Sequence, residues 1–86
     1  GRVMTEWKMG MLAKSKAGHD KNNVYIVIGE EDRYVYLADG EVRTWEKPKK
    51  KKKKHVQPIG RYYELEESDN VKLKRILKLY KKEKLI

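Results

Sequence analysis

Residues 9–29 read MGMLAKSKAGHDKNNVYIVIG, and this stretch has the pattern of a β-hairpin. Residues 11–16 alternate between two faces, as side chains do along a β-strand. Gly18 follows, and glycine readily takes the positive φ of a tight turn. Residues 24–28 are rich in β-branched side chains and predict a second strand that is buried on both faces. The tip between the two strands, residues 17–23, is polar and basic.

Residues 34–45, YVYLADGEVRTW, predict a second hairpin, because Asp39-Gly40 is a preferred pair for a two-residue type I′ turn. This register would place alternate side chains on opposite faces. The face expected to join the core holds Val35, Leu37, Val42 and Thr44. The opposite face holds Tyr34, Tyr36, Arg43 and Trp45. We expect this aromatic face to seat a helix, since a barrel this small benefits from cover.

Six consecutive lysines, Lys49–Lys54, follow Pro48. Such dense like charge cannot pack, so the run predicts an extended, mobile loop. Residues 55–59, HVQPI, then predict a short strand, which Pro58 limits to a strand end or a sheet edge. Five short strands with tight turns predict a mainly β domain built as a small, strongly bent, barrel-like sheet.

The last third of the chain predicts an amphipathic helix over about residues 69–84. Ser68 or Asp69 is suited to cap its N-terminus. An apolar stripe recurs at helical spacing: Leu73, Ile76, Leu77 and Tyr80. A cationic stripe lies opposite: Arg75, Lys78 and Lys82. The predicted organisation is an N-terminal segment (1–8), a barrel (9–59) and a C-terminal extension (60–86). Within the first segment, we interpret Gly1–Val3 as a remnant of an expression tag and Met4 as the natural start.

Composition limits the classes of protein that fit. The 86 residues carry a net charge of +9, and a chain this small and basic usually meets a polyanion. There is no cysteine, so neither a disulfide nor a thiolate metal site is available. The longest apolar run, Val24–Ile28, is too short to cross a bilayer. With no visible signal peptide, we expect a cytoplasmic protein.

No enzyme signature is found in the sequence. It has no cysteine nucleophile, no glycine-rich phosphate loop before a helix, and no spacing of histidines with carboxylates that suits a metal. His19 and His55 are therefore interpreted as polar loop and strand-end residues. Asp20, beside His19, is too weak a signal to indicate catalysis. We expect neither a cofactor nor a metal.

Two stretches together resemble a known family. GMLAKSKAGHDKNNVYIVIG and YVYLADGEVRTWEKPKKKKKKHVQPI resemble the KOW motif and its continuation in small bacterial KOW-domain proteins. Those are similar to the single-KOW large-subunit ribosomal proteins of the archaeal and eukaryotic fourteen-e type. The resemblance covers about residues 9–59. It implies an SH3-like β-barrel that binds structured RNA, most often ribosomal RNA. Where KOW tips commonly carry another glycine, this chain has Asn22-Asn23, and asparagine also tolerates left-handed geometry.

The same resemblance implies which residues contact RNA. By matching position they lie in the loop around the glycine and in the basic run: Lys14, Lys16, Gly18, His19, Lys21, Asn22, Lys49, Lys50, Lys51, Lys52, Lys53 and Lys54. Secondary contacts are expected from the aromatic face and from the cationic stripe of the helix: Tyr34, Tyr36, Arg43, Trp45, Arg75, Lys78 and Lys82.

The first hypothesis is therefore a non-enzymatic RNA-binding protein, monomeric in isolation, of the ribosome or of the factors that assemble or survey it. Lysine is a point charge suited to phosphates, so recognition would follow RNA shape. The alternative is an SH3- or Tudor-like adaptor that holds an acidic protein partner through its aromatic face and cationic surface. Weaker alternatives are peripheral membrane binding and a nuclear localisation signal in the lysine run.

Overall fold

The computed structural model describes residues 7–84. Its elements are β1 (Met11–Ser15), β2 (Val24–Glu30), β3 (Tyr34–Ala38), β4 (Lys49–Lys52), a 3₁₀ turn (Lys53–His55), β5 (Val56–Tyr62) and α1 (Asn70–Lys84). The protein is thus mainly β with a C-terminal helix, as predicted. The interpretation of Gly1–Val3 falls outside the described residues.

The five strands form one antiparallel sheet in the order β4-β3-β2-β1-β5. In a flat sheet the edge strands β4 and β5 would lie roughly 19 Å apart, at about 4.8 Å per strand. The chain from Lys52 to Val56 reaches at most about 14 Å even when fully extended. The sheet must therefore curl strongly, as predicted. It does not close into a barrel, because no ladder pairs β4 with β5 within residues 7–84.

The β1–β2 hairpin is confirmed. Leu12 lies opposite Ile26, and Ala13 lies opposite Tyr25. Gly18, with φ +87°, takes the left-handed conformation that the turn requires. Asn22 does the same, with φ +77°, so the asparagine supplies left-handed geometry at the tip of the loop, as predicted.

Both faces of the curled sheet are packed. The inner cluster consists of Trp7, Met11, Ala13, Tyr25, Val27, Val35, Leu37 and Val56. The helix-side cluster consists of Leu12, Ile26, Ala38, Leu73, Ile76, Leu77 and Tyr80. Consecutive residues of β1 and β2 alternate between the two clusters, which is why both strands are nearly continuous apolar runs. Trp7, which the sequence placed in the N-terminal segment, belongs to the inner cluster.

The predicted hairpin of residues 34–45 is wrong beyond Ala38. The side chain of Asp39 accepts hydrogen bonds from the backbone N–H groups of Glu41 (2.9 Å) and Arg43 (2.8 Å). Asp39 and Gly40 in turn donate backbone N–H groups to the carbonyl of Arg43. A side chain that binds the local backbone in this way competes with a strand ladder. Residues 39–46 therefore form a loop, and Val42, expected in the core, is 78% exposed.

β4 takes the place on β3 that Glu41–Trp45 was predicted to fill. Val35 lies opposite Lys51, and Leu37 lies opposite Lys49. The prediction of a mobile loop for Lys49–Lys54 is therefore wrong. The strand at the other edge was predicted well: β5 contains Pro58 and is an edge strand.

The helix docks on the sheet through the predicted apolar stripe. Asp69 caps it, since its side chain accepts a hydrogen bond from the backbone N–H of Lys72 at 3.0 Å. From the predicted aromatic face only Trp45 packs against the helix-side cluster, and its backbone N–H donates to the side-chain oxygen of Asn70 at 2.9 Å. Tyr36 instead donates its hydroxyl to Glu31, and Tyr34 lies beneath the ammonium of Lys50 at 4.5 Å. The predicted packing of the aromatic face against the helix is confirmed for Trp45 and is wrong for Tyr34 and Tyr36.

Candidate polyanion-binding surface

Asp20, in the loop between β1 and β2, organises the candidate site. Its side chain is 9% exposed and accepts hydrogen bonds from the hydroxyls of Ser15 (2.9 Å) and Tyr25 (3.3 Å). The ammonium groups of Lys51 (2.8 Å) and Lys49 (3.1 Å) reach the same carboxylate from β4. A buried charge is tolerated when it is paired and hydrogen-bonded in this way.

The same contacts set the ionisation of Asp20. Burial by itself would raise the pKa of this carboxyl, because it disfavours the charged form. Hydrogen bonds from Lys51, Ser15 and Lys49 outweigh burial and hold the pKa well below its usual range. Asp20 is therefore ionised at neutral pH.

The alternation of β4 explains why lysines can form a strand here. Lys49 and Lys51 point inward beside Leu37 and Val35, and their side chains are only 25% and 11% exposed. Their aliphatic stems extend the apolar surface while their ammonium groups meet Asp20. The two inward ammonium groups share one buried carboxylate, which compensates part of their charge and allows the strand to pack.

Four of the six lysines in the run have partners. Besides the two on Asp20, Lys50 pairs with Glu31 at 3.6 Å. Lys53 binds Glu30 at 2.6 Å and the backbone carbonyl of Asp32 at 3.0 Å. The side chains of Lys52 and Lys54 are exposed and have neither an ion-pair nor a hydrogen-bond partner among residues 7–84. Only these two lysines of the run offer uncompensated charge to a ligand.

The structure brings the two predicted RNA-contacting segments together. The Lys51 ammonium also donates to the carbonyl of Ala17 at 2.8 Å, and it lies close to Gly18. The backbone N–H of Lys16 donates to the carbonyl of His55 at 2.8 Å. The glycine loop and the lysine run thus form one surface.

That surface is strongly cationic. Residues 16–23 and 49–54 together contain eight lysines and a single acid, Asp20. Lys16, His19 and Lys21 are exposed, as are Lys52 and Lys54. A cluster of exposed positive charges of this kind attracts polyanions and raises the local concentration of their phosphate groups.

Lys14 does not join this surface. It lies opposite Gln57 of β5 and lines a groove of about 840 Å³ on the helix side of the sheet. Asn22, at the tip of the β1–β2 loop, lines the same groove, and so does Lys81 near the end of α1. The predicted site is therefore divided between the cationic surface and this groove.

Arg33 was missed from the sequence. It lies in the turn between β2 and β3, exposed, and lines a second groove of about 430 Å³ with Tyr34 and the lysines at the end of β4. The carbonyl of Arg33 accepts a hydrogen bond from the backbone N–H of Lys53 at 2.8 Å. Arg33 lies beside Lys52 and Lys54 only because β4 pairs with β3. No pattern in the neighbouring sequence indicated that pairing.

The expected secondary contacts are dispersed. Arg75, Lys78 and Lys82 are exposed on the outer face of α1, whereas Arg43 and Trp45 lie in the loop at the start of this helix. No cluster of three or more metal-binding side chains occurs among residues 7–84. In the described part of the chain, no helix is long and apolar enough to span a bilayer.

No protein-family model matches this chain, and no curated protein sequence matches it either.

Proposed function

We propose that this protein is a non-enzymatic RNA-binding protein that grips the phosphate backbone of structured RNA, with ribosomal RNA in the cytoplasm as its first candidate. One observation carries the proposal. Asp20 holds Lys49 and Lys51 beside the glycine loop, whereas Lys16, Lys21, Lys52 and Lys54 have no acidic partner among residues 7–84. Fixed, unpaired ammonium groups on a folded domain match the charge density of a folded polyphosphate.

We further propose that the open, curled sheet is a KOW-type SH3-like unit. The proposal is supported by the five antiparallel strands, by the short 3₁₀ turn that joins the two edge strands, and by Gly18 at the pivot of the basic loop. In this interpretation the β1–β2 loop and β4 are the RNA-contacting parts, and the outer face of α1 with Arg75, Lys78 and Lys82 supplies secondary contacts.

Binding would depend on RNA shape more than on sequence at this surface. Lysine presents a point charge with rotatable donors, and it lacks the planar fork with which arginine reads guanine. The contacting lysines lie on a strand and a tight loop, so little ordering is required when the backbone docks. Rigid placement of this kind favours affinity because less conformational entropy is lost on binding.

The adaptor alternative receives less support. Trp45 is engaged with the helix-side cluster, Tyr36 with Glu31, and Tyr34 with Lys50. An aromatic cage for a peptide would need these rings to be free and to converge on one point.

The test compares two double variants with the same loss of charge. Lys52→Gln with Lys54→Gln removes the unpaired charges of the cationic surface, while Lys47→Gln with Lys74→Gln removes two exposed charges elsewhere. We expect the first variant to weaken binding to purified ribosomal RNA about tenfold or more, at unchanged thermal stability, with little effect from the second. Equal losses in both variants, or no binding by the wild type in 50 mM salt, would overturn the proposal.

A further inference from the structure

A groove lies between the tip of the β1–β2 loop and the C-terminal end of α1. Its volume of about 840 Å³ is within the range of small-molecule sites. Asn22, Asn23 and Lys14 approach from the first hairpin, Gln57 from β5, and Lys81 from α1. The groove exists only because α1 docks across the sheet, so it was not visible in the sequence.

Three carboxamide side chains line this one groove. Asn22 and Gln57 are exposed and have no side-chain hydrogen-bond partner among residues 7–84, and Asn23 donates only a long bond, 3.5 Å, to the Tyr25 hydroxyl. A carboxamide presents a donor and an acceptor side by side, which matches the edge of a nucleobase. A lysine ammonium, by contrast, has no acceptor and is suited to phosphate charge.

The remaining walls fit the other parts of a nucleotide. Val24, Pro58 and Ile59 are half-buried and supply apolar surface against which a planar base can lie. Lys14 and Lys81 supply positive charge for a phosphate. The single acid in the groove, Asp39, already binds the backbone N–H groups of Glu41 and Arg43.

The groove is continuous with the cationic surface. Asn22 follows Lys21 directly, and Lys14 precedes Lys16 by two residues, so one loop borders both features. An RNA strand whose phosphates contact Lys16 and Lys21 would therefore pass beside the opening of the groove.

We propose that this groove holds one unpaired nucleotide of the bound RNA and reads its base through Asn22 and Gln57. The inference rests on the proposed function and adds base selectivity to it. The lysine surface then supplies affinity for the backbone, and the groove supplies discrimination.

The test measures binding of the fluorescent oligonucleotides rA12, rC12 and rU12 by anisotropy in 50 mM salt. We expect the wild type to bind the best of the three at least about fivefold more tightly than the worst. The double variant Asn22→Gly with Gln57→Leu should bring that ratio to within about twofold at a similar mean affinity. Glycine is used at position 22 because it keeps the positive φ.

Lys21→Gln is the matched control. It should weaken binding of all three oligonucleotides by a similar factor and keep their ratio, because a phosphate contact carries no base information. A wild type that binds RNA without preference, or a double variant that keeps the full preference, would overturn the base-reading groove and leave the lysine surface standing. A wild type that binds neither the oligonucleotides nor ribosomal RNA would overturn both.

Discussion

Asp20 is one carboxylate surrounded by four donors: Ser15, Tyr25, Lys49 and Lys51. Sequence reasoning considered it only as a partner for His19 in catalysis. Its structural importance comes from contacts with residues about thirty positions away, which alternation and spacing alone do not indicate. Three signals were nevertheless present: an acid isolated among lysines, a serine at an inward position of β1, and a tyrosine in a buried strand.

Replacing Asp20 with asparagine should destabilise the protein by about 3 kcal/mol at neutral pH, because two ammonium groups would lose their only buried counter-charge. The folded-state pKa of Asp20 is depressed, so its stabilisation is present above the unfolded pKa, near 4, and is lost as pH falls through the folded value. The difference between wild type and variant should therefore shrink below about pH 4. Urea unfolding at several pH values measures this.

Asp32→Asn is the control for that experiment, since Asp32 is exposed in the turn after β2. It should change stability by less than about 0.5 kcal/mol. If Asp20→Asn were equally mild at pH 7, Asp20 would not be the residue that fastens β4.

The strand β4 is where sequence reasoning failed most clearly. Asp39-Gly40 predicted a hairpin, but the Asp39 side chain bonds its own loop, and the free edge of β3 is taken by lysines. Helix α1, by contrast, was predicted almost to the residue, because amphipathic spacing and an N-cap are local signals. Elements defined by neighbours in sequence were predictable, whereas an element stabilised by a distant acid was not.

The two faces of β4 should respond differently to the same substitution. Lys51→Gln removes an ammonium that binds Asp20 and the Ala17 carbonyl, and we expect a loss of about 2 kcal/mol of stability. Lys52→Gln, one residue later on the exposed face, should be within about 0.5 kcal/mol of wild type. Chemical denaturation compares them, and equal effects would mean that the lysine run is an interchangeable charged segment.

The helix should contribute stability through one face only. Leu73 is fully buried in the helix-side cluster, and its replacement by alanine should cost about 2–4 kcal/mol. Leu79→Ala removes the same atoms from a residue that is 56% exposed, and should cost less than about 1 kcal/mol. Thermal unfolding followed by circular dichroism distinguishes the two variants, and a similar loss in both would contradict the docking of α1 on the sheet.

Taken as one molecule, the protein carries less available charge than its composition suggests. The six-lysine run alone predicts about six phosphate contacts and a roughly thousand-fold loss of affinity between low and moderate salt. In the structure, Lys49 and Lys51 are committed to Asp20, and Lys50 and Lys53 have acidic partners of their own. Four lysines of the cationic surface have no ion-pair partner in the described part of the chain: Lys16, Lys21, Lys52 and Lys54.

Four phosphate contacts predict that RNA affinity falls less steeply with salt than six contacts would. For ribosomal RNA we expect a slope of about −3 in a plot of log affinity against log salt concentration, or roughly a hundred-fold loss between 50 and 200 mM. A slope near zero would reject backbone binding altogether. A slope near −5 or steeper would mean that further cations bind phosphate, either those on the outer face of α1 or the lysines paired with Asp20, Glu30 and Glu31.

The composition of β4 also bears on how copies of this protein behave at high concentration. An open sheet edge is a template on which another chain can add a strand and start a fibril. Lys50 and Lys52 lie on the exposed face of β4, so pairing two such edges would bring their ammonium groups close together, and like charges repel. The lysines of this edge strand therefore also discourage polymerisation, most effectively in dilute buffer, where charge repulsion is least screened.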